Sequence, residues 1–600
     1  MEHYLILGLI VLALIMFALE IIRPDIVAIG VTIILLLSGI VSIDEGFSGF
    51  SNPAVITVIC MFILSSGLIR TGVADYLAET ITKTGSRSPF LLTATVMVTV
   101  GVMSAFINNI GAVAILLPSM YVIAQKTGYP VAKLLIPLSF GSLLGGLTTL
   151  IGTPPNLLVS MALEDAGFEG FKMFDFLPTG LAVMVVGILY MGLVGRFLIP
   201  VRKESQSLTE KFELQDFLTE VVIPKESNLI GKTLIEADLP KTVGLSVLRM
   251  KRKEDPRHMF VPAPETIFNE GDRLIVEGNL KDLLQNKHNN KIRMIAETKF
   301  DDKILLDDEI QLAEIVVAPN SNLMGQSINQ GHLRRRYNIM VLAFRRRGQS
   351  LVDKFTSIPL EVGDVMLVQG TSDAIKEVAG SLDFLGVAKR LEPAKRELSK
   401  APVALGIMAL AIASAATGIL HISIAGLLGV FLMVVTKCVR FQDMYHDVEW
   451  RVIFLIACMM PLGIAMDDNH TGTARWLAEH VVSWTGDYGP LIVLASLFIF
   501  TTLITEVMSN AAAAVLLGPI GVAIAVGLGL EPYPFLMAIA MGASTTFLTP
   551  IGHQANVLVY GVGKYRFTDF PRTGAILNVL IFILAMILVP IVWPFTPLQP

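Results

Sequence analysis

The feature that most constrains this chain is a pair of short polar interruptions, set inside long apolar stretches, that occurs twice. The first pair is Asn108-Asn109-Ile110-Gly111 and Ile151-Gly152-Thr153-Pro154-Pro155-Asn156. The second is Ser509-Asn510-Ala511-Ala512 and Ile551-Gly552-His553-Gln554-Ala555-Asn556. Asn109 and Asn510 lie 401 positions apart, and Asn156 and Asn556 lie 400 apart. In hydrocarbon a polar backbone break is costly unless it lines a cavity. Two broken elements per half, in two halves, point to a secondary transporter with a binding site near the bilayer midplane.

Composition supports that setting. Hydrophobic residues make up 53% of the 600 and charged ones 16%, against about 25% charged in soluble domains. The net charge of -5 argues for no nucleic-acid partner. Cys60, Cys438 and Cys458 sit in apolar runs at no metal-ligand spacing and read as membrane-core residues. The run from Tyr4 to Ile22 lacks a basic leader and a small-residue cleavage site, so it reads as a retained helix. No nucleophile–base or metal constellation suggests an enzyme.

The expected fold is an all-α polytopic membrane protein of two inverted repeats, residues 1–200 and 398–600, around an α/β insert. Spans are expected near 4–22, 25–42, 53–70, 131–163 and 177–199, and again near 402–420, 422–439, 452–466, 533–563 and 574–594. Between the third and fourth spans of each half, 88–126 and 489–529 read as re-entrant hairpins with the Asn-containing motifs at their tips. Pro118, with Gly128, is expected to close the first hairpin and matches Pro519, and Pro154-Pro155 is expected to remove two backbone donors at a break. Thr71–Glu79 answers Thr471–Glu479 at an offset of 400.

With hairpins returning to their own side, each half crosses five times, so the halves must be inverted. One set of loops gathers Arg23, Arg70, Lys83, Arg87, Arg196, Arg202, Lys203, Arg451 and Arg572. The opposite set holds only Lys172 and Arg475 beside Asp44, Glu164, Asp165, Asp468, Asp487 and Glu531. The positive-inside rule makes the first set cytoplasmic, with both termini outside and the insert inside a cell (inner) membrane.

The insert is itself duplicated, at 203–297 and 298–397. Ser227–Gly231 answers Ser321–Gly325, and Gly271–Gly278 answers Gly363–Gly370. Each unit reads as strand, turn, helix, strand, then a Gly-Asp turn into a buried strand and a helix. The Gly-Asp turn and following strand resemble the C-terminal regulatory domain of TrkA-type potassium-uptake proteins, or RCK-C. That resemblance implies a small-molecule ligand or an assembly role, hence a homodimer. Arg334–Arg336 and Arg345–Arg347 form either a solvated basic face or a site for an anionic ligand or lipid head group.

A hairpin tip presents a helix N-terminus, which favours an anion, while carbonyls and small polar side chains suit Na⁺. The tips, paired with Ile-Gly-Thr-Pro-Pro-Asn, resemble the divalent anion/sodium symporter family of the ion-transporter superfamily. The resemblance implies sodium sites at Ser104, Asn109, Gly152 and Asn156, and at Thr505, Asn510, Gly552 and Asn556. It implies substrate contacts from Asn108, Asn109, Thr153, Pro154, Ser509, Asn510, His553 and Gln554. It also implies an elevator-like alternating access. The family's Ser-Asn-Thr tips appear here as Asn108-Asn109-Ile110 and Ser509-Asn510-Ala511, without their threonines. With the RCK-C pair, this is more similar to a sulfate-permease-like branch than to dicarboxylate symporters. His553 is either a structural hydrogen-bonding residue or a proton-coupling one, and Glu506 either a buried paired carboxylate or a sodium-site neighbour. An RCK-regulated potassium channel and an arsenite or Na⁺/H⁺ antiporter remain as rivals, the channel without a TVGYG-type filter.

Overall fold

A computed structural model describes residues 2–19, 22–72, 88–201, 400–467 and 489–598, part of 470–480, and most of 218–277 and 310–386 with 293–294. The 73–79 and 474–479 repeat match falls largely outside these residues, as do Lys83, Arg87, Arg202, Lys203, Arg347, Asp468 and Asp487. The chain divides into two compact units, Met1–Val201 with Lys395–Pro600, and Arg202–Ala394.

The first unit is helical, and its two halves run in the same order. Pro24–Leu37, Pro53–Arg70, Pro89–Ser104, Asn109–Thr127, Ala132–Gly146, Pro154–Asp165 and Leu177–Tyr190 are followed, in the second half, by Ile422–Val435, Trp450–Met466, Pro490–Thr505, Asn510–Gly527, Tyr533–Ser544, Gln554–Val562 and Asp569–Val592. Each half also carries a short helix absent from the sequence reading, Ile43–Ser51 and Phe441–Asp447. Among the described residues four helices, Ile43–Arg70 taken together, Leu177–Leu198, Asn510–Gly527 and Asp569–Val592, are long and apolar enough to cross a membrane. The other apolar helices have 10–17 residues, and at 1.5 Å per residue most fall short of a bilayer core of about 30 Å.

The halves are interleaved. Pro24–Leu37 packs along Trp450–Met466 of the other half, and Ile422–Val435 packs reciprocally along Pro53–Arg70. Close approach depends on glycine: a Cβ on Gly49 would lie 2.1 Å from the Ala457 carbonyl oxygen, and one on Gly145 2.2 Å from that of Gly101. Between the halves, Arg70 grips Asp447 at 2.8 Å, and the Ser66 hydroxyl donates to the same carboxylate.

The break expected within 131–163 falls between Ala132–Gly146 and Pro154–Asp165. Two expectations are corrected. Pro154 and Pro155 do not strip donors from a helix interior. They occupy its first turn, where N–H groups lack intrahelical acceptors anyway, so proline starts the helix at little cost. Pro118 and Pro519 sit inside Asn109–Thr127 and Asn510–Gly527; the first ends at Gly128, whose φ of +70° suits glycine.

Among its described residues the second unit holds two five-stranded antiparallel sheets. In the first, β1 Leu218–Val222, β2 Ser246–Lys251, β3 Met259–Phe260, β4 Arg273–Glu277 and β5 Arg293–Met294 lie in the order β3-β2-β4-β1-β5. In the second, β6 Ile310–Val317, β7 Ile339–Arg346, β8 Gln349–Leu351, β9 Val365–Thr371 and β10 Phe384–Gly386 lie in the order β10-β6-β9-β7-β8, the same path read from the opposite edge. Both sheets shift register at equivalent places, between Val247 and Arg249 and between Val341 and Ala343. The Gly-Asp turns place Gly271 and Gly363 at φ +81°. The following aspartates are buried and pair with an arginine, Asp272 with Arg252 at 2.6 Å and Asp364 with Arg346 at 2.5 Å.

Candidate functional site

Each half builds its site from a hairpin tip and an irregular loop between two helices. Pro89–Ser104 descends to the first tip, and Asn109–Thr127 returns from it. At the turn the Ser104 hydroxyl donates to Asn109 Oδ1, both side chains being buried. The second tip repeats the bond: Thr505 Oγ1 donates to Asn510 Oδ1 at 2.9 Å. A hydroxyl five residues before an asparagine spans the turn, because the first closes one helix and the second opens the next.

The loops 147–153 and 545–553 are held by one asparagine each. Asn156 Nδ2 donates to the carbonyls of Gly146 (3.2 Å) and Thr149 (2.8 Å), and Asn556 Nδ2 to those of Thr546 (2.8 Å) and Thr549 (3.1 Å). These are matching positions, 400 apart. Each loop is also tied to its own tip, by Thr149 Oγ1 donating to the Ala105 carbonyl and Thr549 Oγ1 donating to that of Glu506 at 3.0 Å. A break in hydrocarbon is tolerable when protein satisfies its polar groups, and here one amide side chain and one hydroxyl do so in each half.

The two sites then differ. Asn556 Oδ1 accepts from Ser139 Oγ at 2.6 Å, a buried bond between the halves. Asn156 Oδ1 is buried without a protein partner, as is the hydroxyl of Thr153. Around the second tip and loop, Asn510 Nδ2, Ser544 Oγ and Thr546 Oγ1 are buried and unpartnered. Such clusters are what a bound ion or polar ligand would satisfy.

Ser104, Asn109, Gly152 and Asn156 come together in the first half, where a Cβ on Gly146 would meet Asn109 Oδ1 at 2.7 Å and the Gly152 carbonyl at 3.2 Å. Thr505, Asn510, Gly552 and Asn556 belong to the equivalent tip and loop. The expected substrate residues are less uniform. Asn108 and Ser509 cap their return helices, accepting from the amides of Ile110 and Ala512. Asn108 Nδ2 also reaches Glu449 Oε1 at 3.4 Å, across the halves. His553 Nδ1 accepts from the Ala555 amide, so it caps Gln554–Val562. Gln554 is exposed and Pro154 half-buried. Thr149, Thr549, Ser139 and Glu449 were missed; Thr149 and Thr549 carried a signal, standing 400 apart just before each break.

Interleaved apolar helices around two loop-and-tip sites define a membrane transporter. A family model described as "CitMHS: Citrate transporter" matches residues 14–519 and 469–599. The chain belongs to this citrate transporter family of the ion-transporter superfamily, and is therefore an integral membrane protein of a transporter family. It is 35% identical to the uncharacterized transporter sll0640 of Synechocystis over 99% of this chain and 97% of that one. It is 32% identical to the uncharacterized transporter YfbS of Escherichia coli, over 98% and 99%. Sodium/sulfate cotransporter 1 of Chlamydomonas reinhardtii is 22% identical over 91% and 84%. These place the chain among secondary transporters of the citrate and sodium/sulfate type.

Proposed function

We propose that this protein takes up a small divalent oxyanion, sulfate, coupled to sodium, by alternating access between two inverted halves. The observation that carries the reading is the repeated hydroxyl–asparagine tip beside an asparagine-clamped loop, with buried unpartnered polar atoms in both halves. Neutral oxygens in a dry, prearranged loop suit a hard monovalent cation. Sulfate ranks above citrate or a dicarboxylate because the tips offer Ile110 and Ala511, both buried, where a second carboxylate would need a hydroxyl donor. The likeness to a sodium/sulfate cotransporter supports the same choice.

The reading includes a cytoplasmic insert of two RCK-C-like domains, termini outside, and a homodimer whose insert takes a small cytosolic ligand. The test is uptake into proteoliposomes with labelled sulfate, citrate, succinate and K⁺ compared under a sodium gradient. Sulfate uptake that collapses without sodium is expected. Saturable citrate or succinate uptake that excess sulfate does not inhibit would reverse the ranking, and uptake unchanged in sodium-free, proton-clamped vesicles would end the symport mechanism.

A further inference from the structure

The two tips align position for position, Ser104 with Thr505 and Asn109 with Asn510, and beside the hydroxyl Ala105 in the first half stands where Glu506 stands in the second, 401 positions on. Glu506 is buried at 5% exposure. Its Oε1 accepts from the Leu548 amide and its Oε2 from the Thr549 amide, both at 2.8 Å. Among the described residues it forms no ion pair with Lys or Arg. A charge in hydrocarbon without a counter-ion is destabilising by several kcal/mol unless something nearby offsets it.

The atoms around it indicate what. Thr505 Oγ1 lies 2.9 Å from Asn510 Oδ1 and 3.0 Å from the Ala543 carbonyl, yet a hydroxyl has one proton to donate. Turning the Asn510 amide over lets Nδ2 donate to Thr505 and Thr505 to Ala543, and it satisfies the nitrogen that otherwise lacks a partner. It also leaves Asn510 Oδ1 as an open, buried acceptor. Thr546 Oγ1 and Ser544 Oγ, both fully buried and unpartnered, belong to the same loop and the helix before it. A Cβ on Gly552 would meet Glu506 Oε2 at 3.2 Å, so the carboxylate packs on the loop's glycine.

We propose that Glu506 is a positioning residue for the second-half ion site: it pins the loop by two backbone amides and sets a carboxylate directly against that loop, where the first half has Ala105. This rests on the sodium-coupled reading above and sharpens it. The two sites become unequal, and the acidic one fills with sodium before any anion arrives. The first-half one, with Ala105 beside its loop and Glu449 reached only through Asn108, then depends on the charge of the incoming anion. Glu506 acts through the loop and through its field, with both carboxylate oxygens already engaged by amides.

The test uses the purified full-length protein and measures sodium-dependent thermal stabilisation without anion, then sodium activation of uptake. Wild type is expected to be stabilised by sodium alone. Hydrogen bonds to a charged group contribute about 1.5–3 kcal/mol, so Glu506→Gln should raise the half-stabilising sodium concentration about ten- to hundredfold. It should also lower the Hill coefficient for sodium and narrow the Na⁺/Li⁺ preference, while the anion KM at saturating sodium holds. Glu506→Asp keeps the charge but shortens the reach to both amides. With a native melting temperature it should still lose sodium affinity, and wild-type affinity in this variant would overturn the positioning role. An unchanged half-point in Glu506→Gln, with Thr505→Ala shifting it, would overturn the proposal while leaving sodium coupling intact. No sodium response in wild type would instead overturn the coupling reading, and this inference with it.

Discussion

Asn556 and Asn156 make the same two bonds from Nδ2, yet truncating them should have unequal consequences. Asn556→Ala leaves the carbonyls of Thr546 and Thr549 without that donor, and strands the Ser139 hydroxyl that donated to Oδ1. Each buried group left unsatisfied is destabilising by about 1–3 kcal/mol, so the three together come to roughly 3–6 kcal/mol after some relaxation. Asn156→Ala strands only the carbonyl of Gly146, leaves that of Thr149 with the Gly152 amide, and deletes an Oδ1 that had no protein partner. It should therefore be milder by about 1–3 kcal/mol. The assay is unfolding in mixed detergent micelles, followed by circular dichroism, in a double-mutant cycle with Ser139→Ala. Coupling of about 1 kcal/mol is expected between Ser139 and Asn556, and none between Ser139 and Asn156. Equal losses in the two single variants, or a null cycle at Ser139–Asn556, would refute the assignment of that bond as the difference between the sites.

Gly145→Ala should prevent stable assembly, since its Cβ would fall 2.2 Å from a backbone oxygen that cannot rotate away, whereas Gly8→Ala, with nothing within 4 Å, should melt like wild type; size-exclusion profiles and melting curves check the pair. Asp447→Asn should destabilise the membrane unit by roughly 3 kcal/mol by removing the carboxylate charge that faces Arg70 in a part-buried niche, and Arg70→Met with Asp447→Leu should recover most of the loss in the same unfolding assay. In the insert, burial and then the hydrogen bond to Asp383 push the Tyr337 phenol from 10.0 up to about 12. Because the folded state favours the protonated phenol, its contribution to stability is complete below about pH 10 and is lost as pH rises through about 12. The absorbance difference between wild type and Tyr337→Phe near 295 nm should titrate at that higher value, and an ordinary midpoint would contradict the buried bond.

The tips were legible because hydrocarbon leaves polar residues few reasons to exist. Asn109, Asn510, Asn156 and Asn556 stood out for that reason, and their equal spacing linked them. The hydroxyl partners Ser104 and Thr505 were reached through the family likeness. What the loops do with these side chains was not legible, because their partners are carbonyls, which every residue carries. Asn156 and Asn556 were expected among the cation-site residues; that their amide nitrogens also close the loops was not foreseen. Proline misled for a related reason. At Pro154 and Pro155 the same missing N–H that breaks a helix interior suits a helix start, and only the position of the preceding break decides between them. Ser139 gave no hint at all, since its partner lies 417 positions away.

The exchange of Pro24–Leu37 and Ile422–Val435 between halves bears on how the chain comes to be made. Residue 201 leaves the ribosome well before Trp450–Met466, the surface against which Pro24–Leu37 finally rests. With the insert emerging in between, at about 5–20 residues per second the wait lasts roughly 10–50 s. During that time Pro24–Leu37 has only lipid or a membrane chaperone to pack against, and Pro53–Arg70 stands without Ile422–Val435. Assembly in the bilayer is therefore a late, single event gated by synthesis of the second half. A chain halted anywhere in the insert would present unpaired helices to the cell's membrane proteases.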